Sequence, residues 1–224
     1  MNIKAFSSLL FLIIFTVLHA QKLAFSAPDY SLIQKNIADK NSEFYYPKLL
    51  NRLKENDTLL TKSQYRHLYF GYTFQKDYKP YKTSKRAKEM TSYYRGEGSS
   101  ENDLPKGIQL FREALEENPF DLRAMNHLSY MYHLTNDDRM AKKVAANFHG
   151  LLRAILTSGD GLKCETGFHV ISVTDEYVLL NRFQMETLSQ SSSNTCDYHE
   201  FEKGKYKIPG LYFNTSKFYG RILD

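Results

Sequence analysis

One spacing returns along this chain and limits what it can fold into. Tyr65, Leu68, Tyr69 and Tyr72 stand at i, i+3, i+4 and i+7, and Met125, Leu128, Ser129 and Tyr132 repeat the same interval. Side chains so spaced line one face of a helix. A second recurrence joins the helices that follow: Gly107 and Ala141, Phe111 and Ala145, and Ala114 and Phe148 each lie 34 residues apart. A period of ~34 residues is that of tetratricopeptide helix–turn–helix units. On that template Met125, Leu128, Ser129, Tyr132 and Ala141 fill one repeat, while Tyr65 to Tyr72 begin an earlier one.

Local signals agree with helices from about Pro28 to Ile155. Thr61 and Gln64 form a capping box, in which a hydroxyl and an amide satisfy free N–H groups reciprocally. Asp103 and Pro105 start the next helix and Asn118-Pro119 ends it, with Leu104, Ile108, Phe111 and Leu115 as its stripe. A third helix follows Asp121. After the turn at Thr135–Asp138 a fourth carries Ala141, Val144, Ala145, Phe148, Leu152 and Ile155. Gly71 offers a close helix–helix approach.

Residues 65–81 hold seven aromatic rings, and the chain has no Trp. The helical spacing assigns Tyr65, Leu68, Tyr69 and Tyr72 to core. The rings beyond them fall in an insertion at about 75–102 that parts the two helices of the earlier repeat. There Tyr78, Tyr81, Tyr93 and Tyr94 mix with Lys82, Lys85, Arg86 and Lys88. Basic residues among Tyr rings suit an anionic or extended partner, bound by charge and stacking. A solvated loop whose rings cap the helix ends is the alternative.

Charge is uneven. The net charge is +5, yet residues 62–95 carry nine basic and two acidic groups, and residues 97–121 carry two basic and seven acidic. The basic isoelectric point invites nucleic acid, but the N-terminus argues for export instead. Lys4 precedes the apolar run Leu9–Leu18, and Ala20 is a small residue before Gln21. Those ten residues fall short of the ~20 that span a bilayer, and the layout is that of a secretory signal peptide over residues 1–20. No later stretch is long enough to cross a membrane, so the expected product is periplasmic or secreted. Cys164 and Cys196 are its two cysteines. In an exported chain they either pair or remain separate thiols.

After Leu156 the composition turns to short β-like runs: GFHVISV, EYVLLNRFQM, ETLSQS, CDYHEFEK and GLYFNTS, separated by turn residues. The resulting expectation is an α+β chain. Degenerate tetratricopeptide-like hairpins over 21–156 precede a β-rich subdomain over 157–224 that holds a small antiparallel sheet.

Four segments in order, FYYPKLL, LYFGYTFQKDYKPY, GDGLKCETGFHVISVTDEYVLL and IPGLYFNTSKFYGRILD, resemble a family of exported bacterial proteins known as domain of unknown function 4919. The resemblance runs from about Phe44 to Lys217. It implies a Gram-negative envelope or secreted setting and brings no catalytic residue and no ligand.

The chain has no nucleophile elbow, no zinc-binding H-E-x-x-H helix, no phosphate-binding glycine loop and no dinucleotide fingerprint. No cofactor is implied. Asp160 with Asp175 and Glu176 is the one acidic cluster that could pair an acid with a base; otherwise Asp160 shapes its Gly-flanked turn and Asp175 ends a strand. Cys164, His169, Cys196 and His199 are zinc-type ligands. Their odd separations point each pair to opposite faces of a strand, so no metal site is expected. Two function classes follow. One is a non-catalytic module of the bacterial envelope that binds a protein or peptide in a helical groove. The other is a hydrolase-type enzyme with its carboxylates at the helix–sheet junction.

Overall fold

The computed structural model describes residues 25–81, 83–97, 100, 102–193 and 195–219; the expected signal peptide lies outside them. Helices α1 (Tyr30–Ala38), α2 (Tyr46–Lys54) and α3 (Lys62–Gly71) open the fold. The capping box of α3 is present in full, with Thr61 Oγ1 accepting from the Gln64 N–H at 3.2 Å and Gln64 Oε1 from the Thr61 N–H at 3.0 Å. The short helix α4 (Ala87–Tyr94) lies in the insertion. Then come α5 (Leu104–Glu117), α6 (Leu122–Leu134) and α7 (Asp138–Leu156). Asp121 and Asp137 cap α6 and α7 by accepting from the N–H groups of Ala124 and Met140, and so satisfy first-turn donors that have no partner inside the helix.

Helices α5, α6 and α7 pack in succession as two hairpins joined by short turns. At the second hairpin the Ser129 hydroxyl donates to the Ala141 carbonyl at 3.0 Å, so small residues face each other where the helices meet. The earlier repeat is not built as a hairpin. Helix α3 packs mainly against α1, α7 and α2, whereas α5 packs against α4 and α6. The reason is steric. Gly150 of α7 leaves room for the Tyr65 ring, and Gly71 of α3 lets Ile37 of α1 approach to 3.1 Å of where a Cβ would stand. The α5 seam is likewise displaced from the expected stripe. Leu104, Gly107, Leu110, Phe111 and Ala114 are buried, while Ile108 and Leu115 are half-buried.

The C-terminal part contains a four-stranded sheet of β1 (Phe168–His169), β2 (Ser189–Ser192), β3 (Cys196–Glu200) and β4 (Gly210–Asn214), in the order β1-β4-β3-β2. The sheet is mixed. Strands β2, β3 and β4 are antiparallel neighbours, but β1 pairs with β4 in parallel. The run EYVLLNRFQM, expected as a strand, is helix α8 (Val173–Phe183). A short apolar run such as Val178–Leu180 reads alike as strand or helix from periodicity alone. Here Ser172 accepts from the Thr174 N–H, and Asp175 and Glu176 in the first turn complement the helix dipole. The helix carries the chain from β1 to the far edge at β2, a crossover of the kind that lets β4 return parallel to β1.

Helical and β parts share one core, from Ile33 to Phe218. The Tyr69 hydroxyl accepts from the Ile171 N–H at 3.2 Å, and the Tyr78 hydroxyl donates to the Ile171 carbonyl at 2.8 Å. Cys164 and Cys196 are joined by a disulfide with Cα atoms 5.7 Å apart, tying the segment before β1 to the start of β3. Among the described residues no helix is long and apolar enough to cross a membrane.

Candidate functional site

The successive packing of α5, α6 and α7 beside the end of α2 leaves a groove of about 420 Å³, within the ~300–1,000 Å³ typical of ligand pockets. Its floor is apolar: Leu53 of α2, Leu115 of α5, Met125 and Leu128 of α6, and Met140 and Val144 of α7. Met125 and Leu128 are the residues that the recurring helical spacing singles out. The rim is polar. Lys54 and Glu116 form an ion pair at 3.0 Å across it, and the Tyr132 ring and Asp137 stand at the α6–α7 end. Arg112 is exposed on this rim and has no ion pair or hydrogen bond among the described residues. The groove therefore combines an apolar floor with one uncommitted guanidinium.

A second cluster lies at the helix–sheet junction. Glu176 Oε2 is 2.8 Å from His199 Nε2, and His199 Nδ1 is 2.9 Å from the Thr187 hydroxyl. Gln190 donates to Glu176 at 3.3 Å and accepts from the Tyr177 hydroxyl at 2.7 Å. Burial raises Glu176 to about 9, assisted by the charge of Asp197 and a hydrogen bond to it. Burial also holds His199 below the usual imidazole range, although Asp197 pulls the other way. The pair is thus a neutral acid beside a neutral imidazole. One residue earlier, Asp175 accepts from the Tyr69 hydroxyl at 2.6 Å. Burial raises this carboxyl to about 7 against that hydrogen bond.

Of the expected acidic cluster, Asp175 and Glu176 are together, but on different sides of α8: one meets α3 and the other meets β3. Asp160 is elsewhere. It accepts from the Leu162 N–H and the Thr166 hydroxyl, and so braces the turn before β1. Asp175 does not end a strand; it stands in the first turn of α8. Asp175 and Glu176 are 1% and 0% exposed, and neither lines the groove. Of the zinc-type residues, both cysteines are consumed by the disulfide, His169 meets the Tyr30 hydroxyl, and His199 meets Glu176.

The insertion is not one surface. Tyr78 and Tyr93 are buried; Tyr93 packs edge-on against Phe111. Tyr94 lies under the Arg123 guanidinium, 3.8 Å from the ring centre. Tyr81 is exposed and meets the Phe218 ring edge-on. Lys82 lies outside the described residues. Arg86 pairs with Glu89 and Glu113, and the Lys85 N–H reaches the Glu117 carboxylate. Lys88 is exposed. Arg86 thus joins the basic stretch to the acidic α5 through Glu113. Sequence reasoning passed over Arg112 and Lys54 because single basic residues in an amphipathic helix carry no motif. Only the helix packing shows that they border one groove.

No curated protein and no solved structure matches this chain. Residues 31–223 match the family described as Domain of unknown function (DUF4919), and the chain belongs to that family.

Proposed function

We propose that this chain is an exported, non-catalytic binding module of the bacterial envelope, periplasmic or secreted, whose α2–α5–α6–α7 groove takes a peptide or an extended protein segment. Export is supported by the signal-peptide layout of residues 1–20 and by a disulfide suited to an oxidising compartment. The observation that carries the binding reading is the groove itself, an apolar floor beside the uncommitted Arg112. That pairing fits an apolar side chain next to a carboxylate, since a guanidinium engages a carboxylate through two parallel N–H donors. The tetratricopeptide-like spacing of α6 and α7 accords with such a groove.

The alternative, a hydrolase-type enzyme at the helix–sheet junction, draws on the raised Asp175 and Glu176 carboxyls. Perturbed carboxyls do mark active sites. What weighs against it is access: Glu176 and His199 are both 0% exposed and bonded to each other through Oε2 and Nε2, so they serve as a buried stitch between α8 and β3.

The test is selection of displayed random peptides on the full chain, followed by affinity measurements on Arg112→Glu and Met140→Lys variants. Selected sequences should pair an apolar residue with an acidic one. Arg112→Glu should weaken them by about tenfold or more, the worth of a charge-assisted hydrogen bond, with the melting temperature unchanged. Peptides that bind both variants as tightly as the parent would overturn the groove assignment.

A further inference from the structure

A different face of α6 borders a second concavity of about 500 Å³, closed by α7 and by the end of α8. Its polar lining is Arg123, Asn126 and His127 from α6, His149 from α7, Asn181 and Arg182 from α8, and Gln184 at the C-cap of α8. No acidic side chain lines it. Asp121 is the N-cap of α6 and accepts from the Ala124 N–H, and the Arg123 charge acts on its carboxyl from outside the cleft lining. The Arg123 guanidinium carbon stands over the Tyr94 ring, 3.8 Å from its centre. That contact holds the guanidinium while leaving its N–H donors open. Neither Arg182 nor the side-chain amides of Asn126 and Asn181 has a hydrogen-bond partner among the described residues.

The neighbouring groups register the same surplus. Burial holds His149 below its ordinary range, and the charges of Arg182 and Arg153 add to that; burial and Arg123 act likewise on His127. Two guanidiniums line one concavity together with unpaired amide donors and with no acidic side chain in the lining, an arrangement that an oxyanion relieves. The cleft is much larger than an inorganic phosphate needs, so it has room for an organic body beside Tyr94 and Val178.

We propose that the cleft between α6, α7 and α8 binds a small organic phosphate, its dianionic head held by Arg123 and Arg182 and its organic part lying against Tyr94 and Val178. This site is independent of the peptide groove and does not depend on that reading. Arg182 in the last turn of α8 also suits the helix dipole; a purely structural role of that kind predicts no saturable ligand.

Titration calorimetry on the full chain with phenyl phosphate tests it. Inorganic phosphate and phosphatidylcholine vesicles with and without phosphatidic acid run as separate arms. The expected result is one-to-one saturable binding of phenyl phosphate, tighter than inorganic phosphate. Arg123→Ala and Arg182→Ala should each weaken it by about tenfold, Arg182→Lys by less, and Lys142→Ala, outside the cleft, not at all. Both arginines are exposed, and an unchanged thermal melt of each variant keeps the comparison one of binding. No saturation, parental affinity retained in both Arg→Ala variants, equal loss in Lys142→Ala, or binding to phosphatidic acid vesicles alone would overturn it.

Discussion

At neutral pH Glu176 carries its proton, because burial and the Asp197 carboxylate both disfavour its anion. The folded carboxyl ionises near 9 and the ordinary one near 4.5. Between those values the folded state holds a proton that the unfolded state has released, so stability falls as pH rises. Asp175, raised to about 7 from 3.8, acts in the same direction over a lower window. His169 acts oppositely. Burial lowers it to about 4 from 6.5, so stability present above 6.5 is lost as pH falls toward 4. Asp175 still contributes just above pH 7; from pH ~8 the slope left among these groups is that of Glu176, at most about 1.4 kcal/mol per pH unit. Thermal melts should therefore decline from pH ~8 to ~9 in the parent and run flat over that range in Glu176→Gln. An equally steep decline in the variant would refute the assignment of a neutral buried acid.

Among the elements, the α3–α7 contact shows how one small residue decides a packing. A Cβ on Gly150 would stand 2.4 Å from Tyr65 Cε2. That ring cannot swing aside freely, because its hydroxyl donates to Asn147 Oδ1 at 2.6 Å, and Asn147 in turn donates to the Leu53 carbonyl. Overpacking of this kind costs ~1–3 kcal/mol, offset by up to ~1 kcal/mol of helix propensity. Gly150→Ala should lower stability by ~1–2 kcal/mol in urea denaturation; a stabilised variant would show that Tyr65 is not held as described. The helices α3, α5, α6 and α7 were legible in the sequence because capping residues and the i, i+3, i+4 spacing agree. The pairing of α3 was not, since nothing in a spacing says which helix lies opposite it. Helix α8 reads as a strand in the sequence for a related reason. Asp175, Glu176, Val178, Leu179 and Leu180 are all buried, so the two acids of its first turn face inward, and the exposed positions Thr174, Tyr177, Asn181 and Arg182 do not form an evident polar stripe. Tyr78 and Tyr93 were placed in a basic insertion whose buried half only the fold reveals.

For the whole molecule, one core joins helices and sheet, and it leaves two unlike concavities on the two sides of α6. The peptide groove is the one that the repeat spacing foreshadowed, through Met125 and Leu128, although its deciding charge, Arg112, carried no signal in the sequence. Methyl NMR of the methionines tests this groove most directly, because they sample different parts of the fold. Met125 and Met140 line the groove, Met131 packs at Gly107, and Met90 is buried in α4. On addition of a selected peptide, the Met125 and Met140 methyl signals should shift in a saturable way while those of Met131 and Met90 stay in place. Shifts confined to Met90 or Met131, with Met125 and Met140 unmoved, would contradict the groove as the binding site.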